Sequence, residues 1–512
     1  MIPTKLLSKP WFKRTPLVRH AICILALMWT GIVNGQPFFF PDTTNYIRAA
    51  DLAAHLASGR QWRSAWTERY ENDLSQRVQG DRSALKHRSP NVDRRNSSND
   101  LSTGNVMAGR SPYLGAAMYV AYLISNFWLF VIAQAALAYL LIVLAIQRIG
   151  LADHAVTPIV LFLSVTTALP TYNSLLLADA FASFGILSFL LLATPGKLSR
   201  KKTVGLTAVL CASSMFHLTH IMMLLGMVGA LSAVSFLNIA PVALTRAAAT
   251  GAIGLIAGVL SIQATSVVTT MVLGRPPQLL PLLTARFVAD GPGLSYIDSE
   301  CEKRFQVCRV RIGRDLNNAT FLFSPDVAHG TYALLNSEER SRMGREDTQF
   351  ALAVWKSYPL DESYMIFRNT VRQIAWIDYD GLNQNCFANS NCWNALPTNV
   401  RQTLRRSLSG RGMWPQQAMN FLLYVVVLGS ICYLVVNYRH FQKLAPETEK
   451  VMRMWLIIGG AAMVVCAVFG GAVADPQYRY QGRLIWLIPL FAALIFLKSR
   501  SLVYIGRRQD SI

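Results

Sequence analysis

Three groups of residues in this chain carry acid, base or cation chemistry at spacings that could work together. The first is Phe38-Phe39-Phe40-Pro41-Asp42, a carboxylate set behind three aromatic residues and an apolar segment. At the edge of a bilayer such a group can act as a general base, taking the proton of an acceptor hydroxyl, or orient that hydroxyl. The plainer reading is an N-cap for a helix beginning at Thr43, since aspartate is among the best capping residues. The two roles are compatible, and taken alone the cap is the ordinary outcome.

The second group is the turn from Asp475 to Arg483, which includes Tyr478, Arg479 and Tyr480. Arg479 and Arg483 stand four residues apart and share a face on a helix. Two planar guanidiniums can grip phosphate oxygens bidentately; snorkelling towards lipid headgroups is the alternative, and the phosphate reading is favoured. The third group is His217 and His220, spaced i,i+3 at the tip of an apolar hairpin. Such a pair can hold a metal or relay protons. With no third ligand in the sequence, hydrogen-bonded packing is the more economical role. Asp179 is a further carboxylate near the end of an apolar segment, with a helix–helix hydrogen bond as its ordinary use and an assisting role as the sharper one.

These residues need a scaffold, and the composition points to a membrane. Of 512 residues, 52% are hydrophobic and only 15% charged, against about a quarter charged in soluble chains. Apolar blocks near 18–35, 123–146, 155–170, 174–194, 203–217, 219–238, 248–272, 417–436, 454–474 and 484–499 predict an all-α integral membrane protein with about ten transmembrane helices. The blocks at 155–170 and 203–217 are short for a hydrocarbon core of about 30 Å, so one of them could be a half-helix. The stretch 112–124 reads as an interfacial helix.

Loop charges give an orientation, because short basic loops stay cytoplasmic. Lys5, Lys9, Lys13, Arg14 and Arg19 place the N-terminus inside. Inside loops then carry Arg148, then Lys197 to Lys202, Arg246, the group Arg439, Lys443, Lys450 and Arg453, and finally Lys498, Arg500, Arg507 and Arg508. Both termini are therefore expected in the cytoplasm, and Arg479 and Arg483 face outward against the trend. Gly35-Gln36-Pro37 is a poor cleavage site, so the first segment reads as an anchor rather than a signal peptide. The net charge of +21 is then largely topological, lying where anionic headgroups attract it, and no nucleic-acid partner is expected.

The expected organisation is 1–35 as N-terminus and first span, 36–112 as a first outer loop, 113–273 as spans two to seven, 274–415 as a large second outer loop, and 416–512 as the last three spans and tail. The first loop turns polar and Arg/Ser/Asn-rich over 82–105, a composition that cannot bury a core. The second has amphipathic helical stretches near 336–357 and 361–376, broken at Tyr358-Pro359. Cys23, Cys211, Cys432 and Cys466 fall in apolar spans as small hydrophobes. Cys301, Cys308, Cys386 and Cys392 share the second outer loop, where disulfides fit an oxidising compartment. Cys301–Cys308 with Cys386–Cys392 is the simplest pairing, although three pairings are open. The spacings do not suit a tight zinc knuckle.

No Walker loop, dinucleotide fingerprint, His-Glu-x-x-His motif or nucleophile elbow occurs. Pro41-Asp42-Thr43-Thr44-Asn45-Tyr46 just past the first span, with Tyr478-Arg479-Tyr480 and Pro489 near the end, resembles the GT-C superfamily of membrane glycosyltransferases, which use polyprenyl-phosphate sugars. The outer loop, with Ala285 to Pro292 and Phe321-Leu322-Phe323, looks closer to uncharacterised bacterial multi-span proteins. The resemblance implies transfer of a sugar from a polyprenyl-phosphate donor to an acceptor at the outer, periplasmic face of a bacterial inner membrane. It implies Asp42 as base and Arg479 near the donor phosphate, with Arg483 and Tyr480 beside it. Many such enzymes carry a second acid where this chain has Thr43, so metal dependence is left open and no cofactor is expected. The competing classes are a transporter or flippase for an anionic or lipid-linked solute, and a non-catalytic membrane assembly protein. A transporter predicts mid-membrane charges and internal repeats, and the sequence offers neither.

Overall fold

The computed structural model describes residues 16–69, 107–109, 111–313, 316–324, 326–379, 382–383, 386, 390–437 and 446–509. Lys5, Lys9, Lys13, Arg14, Arg439, Lys443, the stretch 82–105, and the side chains of Arg507 and Arg508 lie outside that description. Among the described residues the chain is helical throughout, with two isolated parallel bridges, Phe38 with Leu175 and Met107 with Gln278.

In chain order the helices are α1 Pro16–Ala26, α2 Trp29–Asn34, α3 Pro41–Ala57, α4 Pro112–Ser125, α5 Trp128–Arg148, α6 Val156–Thr166, α7 Leu169–Asn173, α8 Asp179–Ala193, α9 Arg200–Phe216, α10 Leu218–Phe236 and α11 Leu244–Leu273. The second half holds α12 Leu282–Asp290, α13 Pro292–Ser299, α14 Asn318–Phe323, α15 Ser337–Ser357, α16 Pro359–Ala375, α17 Ser390–Ala395, α18 Thr398–Arg406, α19 Gln416–Val436, α20 Pro446–Ala472, α21 Tyr478–Gly482 and α22 Leu487–Gln509.

Among the described residues, six helical segments are long and apolar enough to cross a membrane: Trp128–Arg148, Leu218–Phe236, Leu244–Leu273, Gln416–Val436, Pro446–Ala472 and Tyr478–Arg500. The chain is thus a multi-pass helical membrane protein. The other four predicted spans are shorter or broken. The first is split at Leu27-Met28 between α1 and α2, and α6 is an 11-residue piece. At 1.5 Å per residue α6 reaches about 16 Å, half of a hydrocarbon core. Polar side chains satisfy the backbone exposed by these breaks, as a membrane interior requires. The Asn173 amide donates to the Leu27 carbonyl at 2.9 Å, and the Trp29 indole to the Ser164 carbonyl at 2.7 Å.

Helix α8 is the axis of the bundle: every residue but Phe181 is buried. Helix α11 shows how the outer layer forms. Its buried face is Ala247, Thr250, Gly251, Gly254, Gly258 and Ser261, while Ile256, Leu260 and Val268 are exposed, the pattern of a helix with small residues inward and aliphatic ones on lipid. A Cβ on Gly258 would stand 2.8 Å from the Ile221 side chain, so glycine lets α10 and α11 approach this closely without displacing it.

The buried residues of the long segment 274–415 fall into two clusters. Residues from Ala285 to Val354 form their own core around Phe321, Tyr332 and Phe350, which includes the Cys301–Cys308 disulfide. The later part, with Leu396, Val400, Leu404, Trp414 and the Cys386–Cys392 disulfide, joins the main core. There the Trp414 ring meets Phe38 edge-on at 5.0 Å, and the Asn34 carboxamide accepts from the Ser409 amide at 2.8 Å.

The first cluster is lashed to the turn between α20 and α21. Arg286 pairs with Asp290 and, at 3.0 Å, with Asp475; Asn369 donates to Asp290 at 2.9 Å. The Gln373 carboxamide bonds the Gln477 carbonyl at 2.9 Å and its amide at 2.8 Å. Glu362 is sealed beneath these groups with neither carboxylate oxygen bonded, and burial, reinforced by the charge of Asp290, pushes its carboxyl up to about 8. Helix α16 turns the opposite face outward, exposing Leu360, Tyr364, Phe367 and Val371.

Candidate functional site

Asp42 stands in the first turn of α3, one residue inside the helix rather than at its cap. The N-cap is Phe40, whose amide donates to the Thr43 hydroxyl at 3.0 Å, and Pro41 takes the first helical position, where a missing N–H costs nothing. Asp42 is therefore not the N-cap, and the positive end of the helix favours its charge.

Two devices fix where α3 begins and lies. Phe38 pairs with the segment after α7: its amide donates to the Ser174 carbonyl at 2.9 Å and its carbonyl accepts from the Leu176 amide at 3.0 Å. The Thr43 hydroxyl then donates to the Leu176 carbonyl at 2.9 Å. At its other end, α3 is held by Asp51, which accepts from Ser64 at 2.5 Å, Thr67 at 2.8 Å and Tyr119 at 2.6 Å. Residues 174–178 are non-helical, so α8 starts at Asp179, beside the start of α3.

The arginines arrive from the far end of the chain. Arg479 lies between two carboxylates, 3.5 Å from Asp42 and 3.8 Å from Asp179. Arg483 meets the other oxygen of Asp179 at 3.2 Å. The result is an alternating row, Asp42, Arg479, Asp179, Arg483, in which neighbouring charges are opposite. Its two ends differ in access. The side chains of Asp42 and Arg479 are 18% and 15% exposed, whereas that of Arg483 is 1% exposed and also touches the Cys466 sulfur at 3.7 Å. Both guanidiniums lie against the Tyr480 ring, at 5.5 and 5.3 Å, and Arg479 sits 4.4 Å from the Phe40 ring centre, close enough for cation–π attraction.

Beside Arg479 runs a narrow slot walled by Phe40, Tyr172, Leu175, Tyr379, Leu382 and Tyr478. Its volume of about 10 Å³ is room for roughly one water in this state. Burial pushes the Tyr379 phenol well above its ordinary range, so its hydroxyl stays a donor at any physiological pH.

The two histidines take their places in the α9–α10 hairpin, with His220 close enough to Arg483 to feel its charge. His217 is the N-cap of α10, its ring accepting from the Thr219 amide at 3.2 Å. His220 is buried, with Nδ1 2.9 Å from the Ser213 carbonyl, which staples α10 to α9. These are the hydrogen-bonded contacts of a hairpin. Among the described residues no group of three or more His, Cys, Asp or Glu could hold a metal ion. Asp179 is the residue whose place is richest, since it joins both arginines. Sequence reasoning missed Phe40 as a platform under Arg479, and missed Tyr172, Tyr379 and Leu382. The run of three phenylalanines pointed at the first; for the others, isolated aromatic residues in separate segments gave no pattern to read. No known protein family, no curated protein and no solved structure matches the chain.

Proposed function

We propose that the chain is a membrane glycosyltransferase that moves a sugar from a polyprenyl-phosphate donor to an acceptor hydroxyl, with Asp42 as general base and Arg479 as the partner of the donor phosphate. The observation that carries this reading is the meeting of Asp42 and Arg479 at the most accessible end of the charged row, beside an aromatic slot. A base and a phosphate-binding cation must flank the reacting carbon, one on the acceptor side and one on the leaving-group side.

The resting contact is loose, at 3.5 Å, and the slot is nearly closed. A phosphate offers Arg479 two anionic oxygens in place of one distant carboxylate oxygen, so donor binding draws the guanidinium away and frees Asp42. The tyrosine rings then line the sugar. Asp42 takes the acceptor proton, the acceptor oxygen bonds the anomeric carbon, and the bond from that carbon to the phosphate oxygen breaks. The electron pair leaves with the polyprenyl phosphate, whose growing charge Arg479 stabilises, and the anomeric configuration inverts. Asp179 stays paired with Arg479 through this shift, Arg483 holds Asp179, and neither touches a reacting atom.

The test is release of polyprenyl phosphate from a panel of polyprenyl-phosphate hexoses and pentoses by the full-length protein in proteoliposomes. Wild type turns over at least one donor, and Asp42→Asn lowers that rate by about 100-fold or more, the size of a general-base contribution. Undiminished turnover in Asp42→Asn would falsify the assignment.

A further inference from the structure

The basic end of the bundle contains a cavity that the proposed reaction does not use. It lies between the C-terminal part of α5, the end of α8 and the start of α9, and its volume is about 200 Å³. That is far more than the ~10–15 Å³ one water needs. Three cations line it, Arg148, Lys197 and Lys202, and no carboxylate does.

Each cation that is held is held by neutral groups. Arg148 donates to the carbonyls of Thr194 at 2.9 Å, Pro195 at 2.5 Å and Gly196 at 3.1 Å, and its Nε is buried without a partner. Lys202 reaches only the Gln147 carboxamide, at 3.3 Å. Arg246 grips the same carbonyls from the other side, bonding those of Leu192 and Thr194 and, at 2.9 Å, that of Gly196. The end of α8 thus gathers two guanidiniums without an acid, and the first turn of α9, capped by Ser199, adds its own positive end.

Beside the cations the lining is largely apolar, with Leu144, Leu191, Leu198 and Leu206. Cations and leucines lining one cavity at a membrane edge match a molecule with an anionic phosphate and a hydrocarbon tail. We infer that this cavity binds the phosphate headgroup of an anionic phospholipid, with Arg148, Lys197 and Lys202 on the phosphate and the leucines on the glycerol and upper acyl chain. The site is independent of the row formed by Asp42 and Arg479.

The experiment uses the full-length protein in nanodiscs of phosphatidylcholine containing increasing phosphatidylglycerol, with bound lipid read by native mass spectrometry after transfer to detergent. The variant is Lys197→Gln with Lys202→Gln, two exposed side chains whose loss leaves the arginine-capped turn intact. A lysine at an anionic surface contributes about fivefold in binding, so the double variant should retain phosphatidylglycerol about 30-fold less. Lys450→Gln with Arg500→Gln removes equal charge elsewhere and should leave retention unchanged. Equal retention by wild type and the lysine double variant would overturn the site, as would an equal loss in the control pair. Displacement of the lipid by millimolar inorganic phosphate would overturn the lipid assignment in favour of a free anion.

Discussion

Asp179 and Asp42 both face Arg479, yet removing them should have opposite consequences. Asp179 is the shared partner of two guanidiniums, one of them 1% exposed. At 3.2 Å and an effective dielectric of about 20, its attraction for Arg483 is roughly 5 kcal/mol before the cost of desolvation. Asp179→Ala leaves the Arg483 charge buried without a carboxylate, which costs about 3–5 kcal/mol. Asp42→Asn leaves Arg479 with Asp179 and takes away a contact at 3.5 Å on a partly exposed pair, which costs under about 1 kcal/mol. The assay is thermal dispersal of the full-length protein in detergent, followed by size-exclusion retention, for wild type, both variants and a compensated double, Asp179→Asn with Arg483→Met. The double should recover at least half of what Asp179→Ala loses, because no unpaired charge remains buried at that end. If Asp42→Asn proves as destabilising as Asp179→Ala, the division between a structural end and a reactive end of the row is wrong. If Asp179→Ala is neutral, the row does not hold the bundle together.

Two further outcomes follow from α16 and from α3. Glu362 has a folded-state pKa of about 8 against 4.5 for the unfolded chain, so between those values the folded state holds a proton that the unfolded state has released. Its contribution is therefore fully present below about pH 4.5 and is lost as pH rises towards 8. Asp475, also raised by burial, acts in the same direction. Thermal midpoints measured from pH 5 to 8 should fall in wild type and fall less in Glu362→Gln; parallel curves would show that Glu362 is not the proton-holding group. Asp51→Ala orphans three hydroxyl donors and should cost roughly 3–6 kcal/mol, with new proteolytic cleavage between residues 58 and 69, whereas Asp51→Asn keeps one acceptor and should cost less. Unchanged proteolysis in Asp51→Ala would count against its role in holding α3.

Much of the scaffold was legible because hydropathy reports burial in lipid directly. The six long spans, and the helices either side of Tyr358-Pro359, lie close to where apolar runs and a proline set them. The shortness of 155–170 was legible, but the breaks themselves were not, because what permits a break is a polar residue reaching a distant carbonyl. Asn173 on Leu27 and Gln134 on Leu175 look, in sequence, like isolated polar residues in apolar runs. Asp42 and the two arginines stood out because charges in their positions are unusual, and the row unites them. Asp179 was legible as a carboxylate at the end of an apolar segment, but its partner was not: Arg483 lies 304 positions away in sequence. The cap reading of Asp42 failed for a local reason: the helix starts at Pro41 rather than Thr43, which makes Phe40 the N-cap.

The contact between Asp42 and Arg479 spans 437 positions of sequence, and that separation orders the birth of the protein. At about 5–20 residues per second, Asp42 leaves the ribosome roughly 20–90 s before Arg479 exists. Through that interval a carboxylate and the turn around Phe38 wait at the membrane surface without their last partner. Chains that stop before the final span therefore lack this contact, and the protein gains its charged row only when synthesis is almost over.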